Sequence, residues 1–411
     1  MFKKLHHIWN QNNNFKYLMR GVLYSVPSLF MTGSIIQAFM LENGVSEKSV
    51  AFYVSVLQIV QVAVMLIASS FVDRLKNIIK IKGFIFLFQV SYAVLLAVIS
   101  LVSGMSADYK YSLILIGGII INLIQAINNI IAYKVPFQIM NINDYGHLNG
   151  KVGIVSGILG AAVSALLSYL TSHFNYNGVM FIMYIISAIF LVATGLVVLS
   201  YKPLSFVNEE AKKEEKKDIN IFKYKPFYIL FIPNLLRGFA SGIFGTAMAV
   251  AYYVGIAEKS SGSTLALVLQ IATLVSSYLF TVLSKKKLDD SMILYASLIM
   301  ALSMGLMLVG GNLTVFYICY CAASFFINII NNAVPTAVMR IVDYDHIGQY
   351  TTWRMLCHTL GGAVASAVVI GMIDVFGGIL TLVISALCQL ISGVVYYIYI
   401  QILKKQNKYL M

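Results

Sequence analysis

Twelve stretches of this sequence are apolar over about 20 residues each, and this feature restricts the chain to a membrane fold. A hydrocarbon core about 30 Å thick is crossed by about 20 helical residues, so each stretch predicts one transmembrane helix. Composition agrees, because 59% of the residues are hydrophobic and 11% are charged, whereas soluble domains contain about 25% charged residues. The predicted segments are 18–41, 49–72, 83–104, 112–137, 150–172, 178–200, 227–257, 264–284, 292–310, 313–338, 355–374 and 379–403. The predicted fold class is therefore an all-α polytopic membrane protein with twelve transmembrane helices.

The positions of lysine and arginine predict how these helices are oriented, because short cytoplasmic loops accumulate basic residues. With both termini cytoplasmic, 25 of the 29 basic residues lie on the inner side. The outer loops hold Lys48, Lys110 and Lys259, and Arg237 remains within a segment. The net charge of +13 is thus explained by topology and does not indicate nucleic-acid binding. We expect a multi-pass protein of the plasma (inner) membrane with both termini in the cytoplasm.

The chain contains an internal repeat. Residues 129–147 match residues 328–346 at ten of nineteen positions. A polar run of mixed charge at 201–226 separates six apolar segments from six and is typical of a solvated cytoplasmic linker. We therefore predict two pseudo-symmetric six-helix bundles, 1–200 and 227–411, on either side of that linker.

Two parallel six-helix repeats with a charged linker and cytoplasmic termini resemble the major facilitator superfamily. The loop after the second helix, SSFVDRLKNIIKIKG, is similar to the superfamily's Gly-x-x-x-Asp-Arg signature: it keeps Asp73 and Arg74 but lacks the leading glycine. The resemblance implies that the first and fourth helices of each half line a central cavity. It also implies that the halves rock and expose this cavity to each side of the membrane in turn.

Within the superfamily, the segments DYGHLNGK from Asp144 and DYDHIGQYTTWR from Asp343 resemble the Asp-Tyr segments of the glycoside-pentoside-hexuronide cation symporters. The first copy keeps Gly150 and Lys151 of that pattern, and the second reaches Arg354 through an altered spacing. The symporters' sodium site uses acidic residues in the second helix, where this chain has glutamines and no acid. The resemblance implies a cation-coupled carrier, and the missing acids leave the coupling cation open.

The acidic residues constrain the coupling mechanism, since none is predicted to lie in the middle of a membrane segment. An intramembrane acid is functional by default because its burial is costly. Coupling through a buried carboxylate is therefore disfavoured, which leaves uniport, exchange, or coupling through carbonyls and hydroxyls.

Nothing in the sequence indicates a metal or cofactor site. The four cysteines fall within membrane segments and lack metal-binding spacing: Cys319, Cys321, Cys357 and Cys388. No glycine-rich phosphate loop follows a predicted strand, so this chain alone is not an ATP-driven pump. We expect a protein that is not an enzyme.

Two stripes of polar side chains are the candidate substrate site. In the fourth segment, residues at steps of three or four share one helix face: Asn122, Gln125, Asn129 and Tyr133. The tenth segment has a similar stripe: Ser324, Asn328, Asn331 and Asn332. Amides that face a wet cavity can hydrogen-bond with sugar hydroxyls or comparable neutral groups. The alternative is that these amides hydrogen-bond one helix to another.

Arg237 is the one basic residue predicted far from the end of a segment, and a lone cation there could bind an anionic substrate. Its counterpart Arg20 begins the first helix at the inner interface. Pro233 suggests that residues 227–236 form a separate or kinked turn, which would place Arg237 at the interface as an anchor. The sequence leaves both interpretations open.

Both copies of the Asp-Tyr motif lie just past an inner helix end, where a proline has loosened the helix. A carboxylate there can bond to the amides of the next helix or pair with a nearby base. One hypothesis is a pair of cytoplasmic latches that stabilise an outward-facing state, formed by Asp73, Arg74, Asp144, Lys151, Asp343 and Arg354. The alternative is a helix cap that was duplicated with the fold.

Together these features predict a secondary active transporter that moves a small neutral polar solute, sugar or glycoside-like, by alternating access. The aromatic content of 13% and the eighteen methionines leave efflux of drug-like amphipathic compounds as the alternative. A membrane scaffold or sensor is disfavoured because the sequence has no sizeable soluble domain. The expected protein is a monomer that binds the solute, membrane lipid and a coupling cation of open identity.

Overall fold

The structure is a computed structural model that describes residues 12–31, 33–45, 47–68, 71–132, 134–204, 225–245, 255–256, 261–284, 289–340, 342 and 344–405. These residues form α-helices and two short 3-10 turns, Val72–Arg74 and Val309–Gly311, and no strand occurs among them. The helices are α1 (Asn13–Met31), α2 (Gly33–Glu42), α3 (Glu47–Ala68), α4 (Ile78–Leu101), α5 (Ala107–Ile131), α6 (Lys134–Ile139), α7 (Ile142–His173), α8 (Tyr176–Leu199), α9 (Lys225–Gly245), α10 (Ser261–Ser284), α11 (Asp289–Leu306), α12 (Leu313–Met339) and α13 (Tyr344–Lys405).

Each of the twelve predicted segments corresponds to helix in the described residues. The first segment is α1 followed by α2, the fourth is α5 followed by α6, and α13 contains the eleventh and twelfth. The largest difference is at the eleventh segment, which begins at Tyr344 and not at 355. The fifth similarly begins at Ile142 and not at 150. Hydropathy marks only the membrane-embedded part of a helix, so the polar extensions escape it.

The breaks between helices have local causes. Pro136 lacks the N–H that would bond the carbonyl of Ala132, and its ring collides with that carbonyl. Accordingly, α5 ends at Ile131 before the short α6 begins. In α13, Gly377 has φ 76° and ψ 162°. Glycine reaches this conformation without a steric penalty, so the chain changes direction there and separates the last two spans.

The surface of α8 shows why the bundle suits lipid. Its exposed face repeats every seven residues, with Ile182, Ile189 and Leu196 all more than half exposed. The opposite face buries Ser187 and Thr194, whose hydroxyls donate to backbone carbonyls one turn earlier at 2.8 and 2.7 Å. Apolar side chains outside and satisfied hydroxyls inside are what a hydrocarbon solvent requires. By length and composition alone, six helical stretches among the described residues are long and apolar enough to cross a membrane.

The two halves of the chain share the same pattern of helix packing. In the N-terminal half, α4 packs on α8, α1 on α8, and α5 on both α3 and α4. In the C-terminal half, α11 and α9 both pack on α13, and α12 packs on both α10 and α11. Since each pair in one half has its counterpart in the other, the sequence repeat is also a structural repeat.

The described helices belong to two compact units. The first lies within 1–140 and 158–216, and the second within 141–157 and 217–411. The first half of α7 therefore packs with the C-terminal helices. The predicted domain limits stay a prediction, because most of the 201–226 linker lies outside the described residues.

Four glycines on one face of α7 make this packing close, and we call the contact the α7 seam: Gly146, Gly150, Gly153 and Gly157. A Cβ at Gly150 would lie 2.1 Å from Oγ1 of Thr281 on α10, and a Cβ at Gly153 would lie 2.4 Å from Oγ of Ser277. Only glycine permits helices to approach to this distance.

Candidate substrate site

The amide stripe on α5 is hydrogen-bonded to neighbouring helices of its own unit. Gln61 on α3 donates to Oδ1 of Asn122 at 2.7 Å. Gln89 on α4 donates to Gln125 at 2.5 Å, and Gln125 donates to Asn129 at 3.2 Å. The three stripe residues are half-buried. They form a polar surface that is held in place from α3 and α4 and keeps part of its area accessible.

The stripe on α12 is held in the same way from α10 and α7. Asn328 donates to Oγ1 of Thr273 at 2.8 Å and to the carbonyl of the buried Ser324 at 2.9 Å. Asn332 accepts from Nδ2 of Asn149 at 2.7 Å. Asn328 and Asn332 are half-buried, as their counterparts on α5 are. In both stripes, amides are thus oriented by hydrogen bonds, several of which come from neighbouring helices.

Arg237 joins the α12 stripe. Its side chain is only 5% exposed, and its Nη2 donates to Oδ1 of Asn331. Asn331 itself is exposed, so a buried guanidinium ends at an accessible amide. Pro335 has no backbone N–H, so the carbonyl of Asn331 lacks the helical hydrogen bond that residue 335 would donate. This carbonyl is a second acceptor beside the Asn331 side chain.

The expectation of a separate turn before Arg237 is wrong. Helix α9 runs without interruption from Lys225 to Gly245 and contains Pro233 in its interior. Packing holds this helix together around the proline: Ser392 on α13 donates to the carbonyl of Pro233 at 2.7 Å. Tyr396, one turn further, donates to Oδ1 of the fully buried Asn234 at 2.6 Å. Arg237 is therefore a residue of a packed helix.

Arg20, the counterpart of Arg237, has a different environment. Its guanidinium lies 4.8 Å from the ring centroid of Tyr17 and interacts electrostatically with the hydroxyl of Tyr201. Burial raises the pKa of Tyr201, so this phenol remains neutral. An arginine between two tyrosines suits an interfacial anchor. The two copies have diverged, because Arg237 contacts an exposed amide and Arg20 contacts phenol groups.

Several polar residues of these networks were not predicted. Gln89 is the only amide of α4, and an isolated amide in an apolar segment is the signal that could have identified it. Asn149 lies within the first copy of the Asp-Tyr motif, next to residues that the motif comparison singles out. Asn128 is buried, and its Oδ1 has no hydrogen-bond partner among the described residues. No such signal marks Thr273.

The described latch residues lie at different depths along their helices. Arg74, Asp144 and Lys151 are exposed, whereas Arg354 is half-buried three turns inside α13. Asp144 lies in the first turn of α7, where its charge favours the helix dipole. The hydrogen bond at that helix start comes from Asn141, whose Oδ1 accepts from the amide of Asn143 at 3.0 Å. Tyr133, Asp343 and the side chain of Asp73 lie outside the described part of the chain.

No metal-binding group of three or more His, Cys, Asp or Glu residues occurs among the described residues. All four cysteines are free thiols within helices.

Comparison with solved structures identifies the fold. A bacterial homologue of the iron transporter ferroportin, in an outward-facing state, superimposes with a TM-score of 0.72 at 12% identity, covering 94% of this chain and 99% of the homologue. The fucose:proton symporter of E. coli gives a TM-score of 0.67 at 12% identity, with coverages of 95% and 98%. A human organic anion transporter gives 0.64 at 9% identity, with coverages of 94% and 100%. At these identities the likeness is one of fold.

No curated protein matches this sequence. The family profile described as Major Facilitator Superfamily matches residues 18–366. This match covers most of the chain and includes both sequence repeats, in agreement with the twelve-segment fold. The chain therefore belongs to the major facilitator superfamily.

Proposed function

We propose that this chain is a secondary active transporter that moves a small polar solute, sugar or glycoside-like, across the plasma (inner) membrane by alternating access. Both termini would lie in the cytoplasm, as the distribution of basic residues predicts. The solute would bind to the two amide stripes, through hydrogen bonds between amides and its hydroxyl groups.

The observation that supports this proposal is that each of the two repeats contains a network of half-buried amides. In the first unit the network contains Gln125 and Asn129, and in the second it contains Asn328 and Asn332. An amide can make four hydrogen bonds, more than the one to three found for each of these side chains. The remaining donors and acceptors suit a hydroxyl-rich ligand, whereas an apolar ligand would leave them unsatisfied.

Transport by variants in liposomes tests this proposal. Gln125→Ala and Asn328→Ala should each lower sugar uptake about tenfold or more, because each removes a group that contacts the solute. Their melting temperatures should fall only slightly, since an interhelical hydrogen bond in a membrane protein contributes about 0.6 kcal/mol.

Gln389→Ala is the matched control. Gln389 on α13 is buried and donates to Oγ of Ser297 at 3.2 Å, so it is an interhelical amide outside both stripes. Its replacement should cost similar stability and leave uptake unchanged. Equal loss of uptake in Gln125→Ala, Asn328→Ala and Gln389→Ala would contradict a solute-binding role for the stripes.

The second candidate, efflux of drug-like amphipathic compounds, is favoured by an aromatic cluster at the other end of the α12 stripe. Tyr320 stacks on Phe244 at 5.0 Å and on Phe316 at 6.0 Å between ring centroids. Tyr320 precedes Ser324 by one turn and so continues the polar stripe. Stabilisation of the protein by cationic amphiphiles but by no sugar would favour efflux.

We also propose that the Asp-Tyr segments, which occur in both halves of the chain, act as cytoplasmic latches. Asp343 and Arg354 would form one pair. Exchanging the two charges in an Asp343→Arg, Arg354→Asp variant should restore the balance of inward and outward states that either single change shifts. A helix cap would instead lose stability in both the single and the double variants.

A further inference from the structure

Two arginines and a histidine lie together inside the second unit. Arg237 is on α9, and Arg354 and His358 are one turn apart on α13. The two helices cross at Gly238, where an added Cβ would lie 2.0 Å from the carbonyl oxygen of His358. Likewise, a Cβ added at Gly361 would collide with the carbonyl oxygen of Leu235.

This crossing fixes the position of Arg237 beside the α13 face that presents Arg354 and His358. Both guanidinium groups are near enough to interact electrostatically with the His358 imidazole, and both also interact with the Tyr396 hydroxyl. Nδ1 of His358 is buried and has no hydrogen-bond partner among the described residues. This nitrogen has a hydrogen bond left to make, and a ligand beside Arg237 and Arg354 can supply it.

The cluster borders an exposed residue, Asn331. The Arg237 side chain is 5% exposed, whereas Asn331, which accepts its hydrogen bond, is exposed. A ligand that reaches Asn331 therefore reaches the end of the Arg237 guanidinium. A guanidinium group donates two parallel N–H···O bonds to a carboxylate or phosphate, because these groups have two or more acceptor oxygens. An amide has only one acceptor oxygen.

We propose that Arg237, together with Arg354 and His358, binds an oxyanion carried by the transported solute, so that the substrate is a sugar derivative with a carboxylate or phosphate group. This inference rests on the proposed function and replaces the neutral solute expected from the sequence with an acidic one. The oxyanion replaces Asn331 as the acceptor for Arg237, and the hydroxyl groups of the same solute extend along the α12 stripe towards Asn328.

Thermal stability of the purified full-length protein tests the site with matched probes: glucose, glucuronate, glucose 6-phosphate, acetate and inorganic phosphate. The acidic sugars should raise the melting temperature of the wild type, and glucose should raise it less at the same concentration. Arg237→Gln should weaken the response to the acidic sugars by roughly tenfold or more in apparent affinity. Arg20→Gln, the same change in the first copy, should leave that response intact.

The Asn331→Asp variant provides a second test of the site, which can be used if the Arg237→Gln variant does not fold. The new carboxylate would pair with Arg237 and occupy the site from within, which should raise the melting temperature without ligand and abolish the response to acidic sugars. An unchanged response to acidic sugars in Asn331→Asp or Arg237→Gln, or no response in the wild type, overturns the inference.

The probes separate this inference from the proposed function. If glucose and glucuronate stabilise the protein equally and Arg237→Gln changes neither response, the oxyanion site is wrong and sugar transport stands. If acetate and inorganic phosphate act as strongly as the acidic sugars and depend on Arg237, the site is correct and the sugar-based function is wrong.

Discussion

At the scale of single residues, glycines determine how closely the helices of the second unit approach. Gly238 and Gly242 on α9 face Gly361 and Gly362 on α13, and a Cβ added at Gly238, Gly242 or Gly361 would meet backbone atoms of the facing helix at less than 3 Å. Backbone atoms cannot rotate away as a side chain can, so a methyl group at such a position must push the helices apart. The site described above depends on this distance, because Arg237 directly precedes Gly238.

The first residue-scale prediction concerns this crossing. Gly238→Ala should destabilise the protein by about 1–3 kcal/mol or more, as overpacking does in other cores. Gly371→Ala, on α13 where no atom lies within 4 Å of an added Cβ, should be neutral or slightly stabilising because alanine favours helix. Thermal denaturation in detergent measures both changes. A Gly238→Ala variant as stable as Gly371→Ala would show that the helices are further apart than described.

At the scale of elements, α7 is the helix whose packing departs from the two bundles predicted from the sequence. Its first half belongs to the second unit and its second half, from Ile158, to the first. The α7 seam lies within the second unit, whereas the six-helix halves predicted from the sequence, 1–200 and 227–411, assign all of α7 to the first half. If those halves rock, as the proposed mechanism requires, α7 must separate from the second unit at the α7 seam. The hydrogen bond between Asn149 and Asn332 at 2.7 Å and the contact of His147 with the carbonyl of Thr281 at 3.2 Å would then break in each cycle.

The element-scale prediction is that fixing the α7 seam stops transport. A Cβ at Gly157 lies 3.4 Å from Cβ of Leu274 on α10, close to the separation found in disulfides. In a background without the four native cysteines, the double variant Gly157→Cys, Leu274→Cys should lose uptake on oxidation and regain it with reductant. The Leu274→Cys single variant is the control and should respond to neither treatment. Undiminished uptake by the oxidised double variant would mean that the seam stays closed during transport.

At the scale of the whole molecule, the fold was predictable because lipid leaves the chain few solutions. A spanning segment must satisfy its own backbone and expose apolar side chains, so each helix leaves a visible apolar stretch in the sequence. The repeat of 129–147 at 328–346 then predicts the pseudo-symmetry. The amide stripes were also visible, since Asn122, Gln125 and Asn129 recur at helical spacing.

The partners of those residues were not predictable, because they depend on which helices touch and at what height. No periodicity links Gln125 to Gln89 on α4, or Arg237 to Asn331 on α12. Pro233 gave a misleading signal, since a proline breaks an isolated helix, whereas in α9 the surrounding contacts keep the helix continuous. Such tertiary effects are decided by packing and are absent from a one-dimensional pattern.

The last prediction concerns the energy source of the whole transporter. Every acidic residue with a described side chain lies within a turn of a helix end, such as Asp108 at the start of α5, Asp290 at the start of α11 and Asp374 before the Gly377 break. Without a carboxylate deeper in a described span, proton binding and release through such a group is not available to drive the cycle.

We therefore expect that an imposed pH gradient will not accumulate labelled solute in proteoliposomes, whereas exchange against unlabelled solute will proceed without any ion gradient. Parallel vesicles with a sodium gradient distinguish coupling through carbonyls and hydroxyls from exchange alone. Accumulation driven by the pH gradient, and abolished by a protonophore, would contradict this prediction and would require a titratable group other than the described carboxylates.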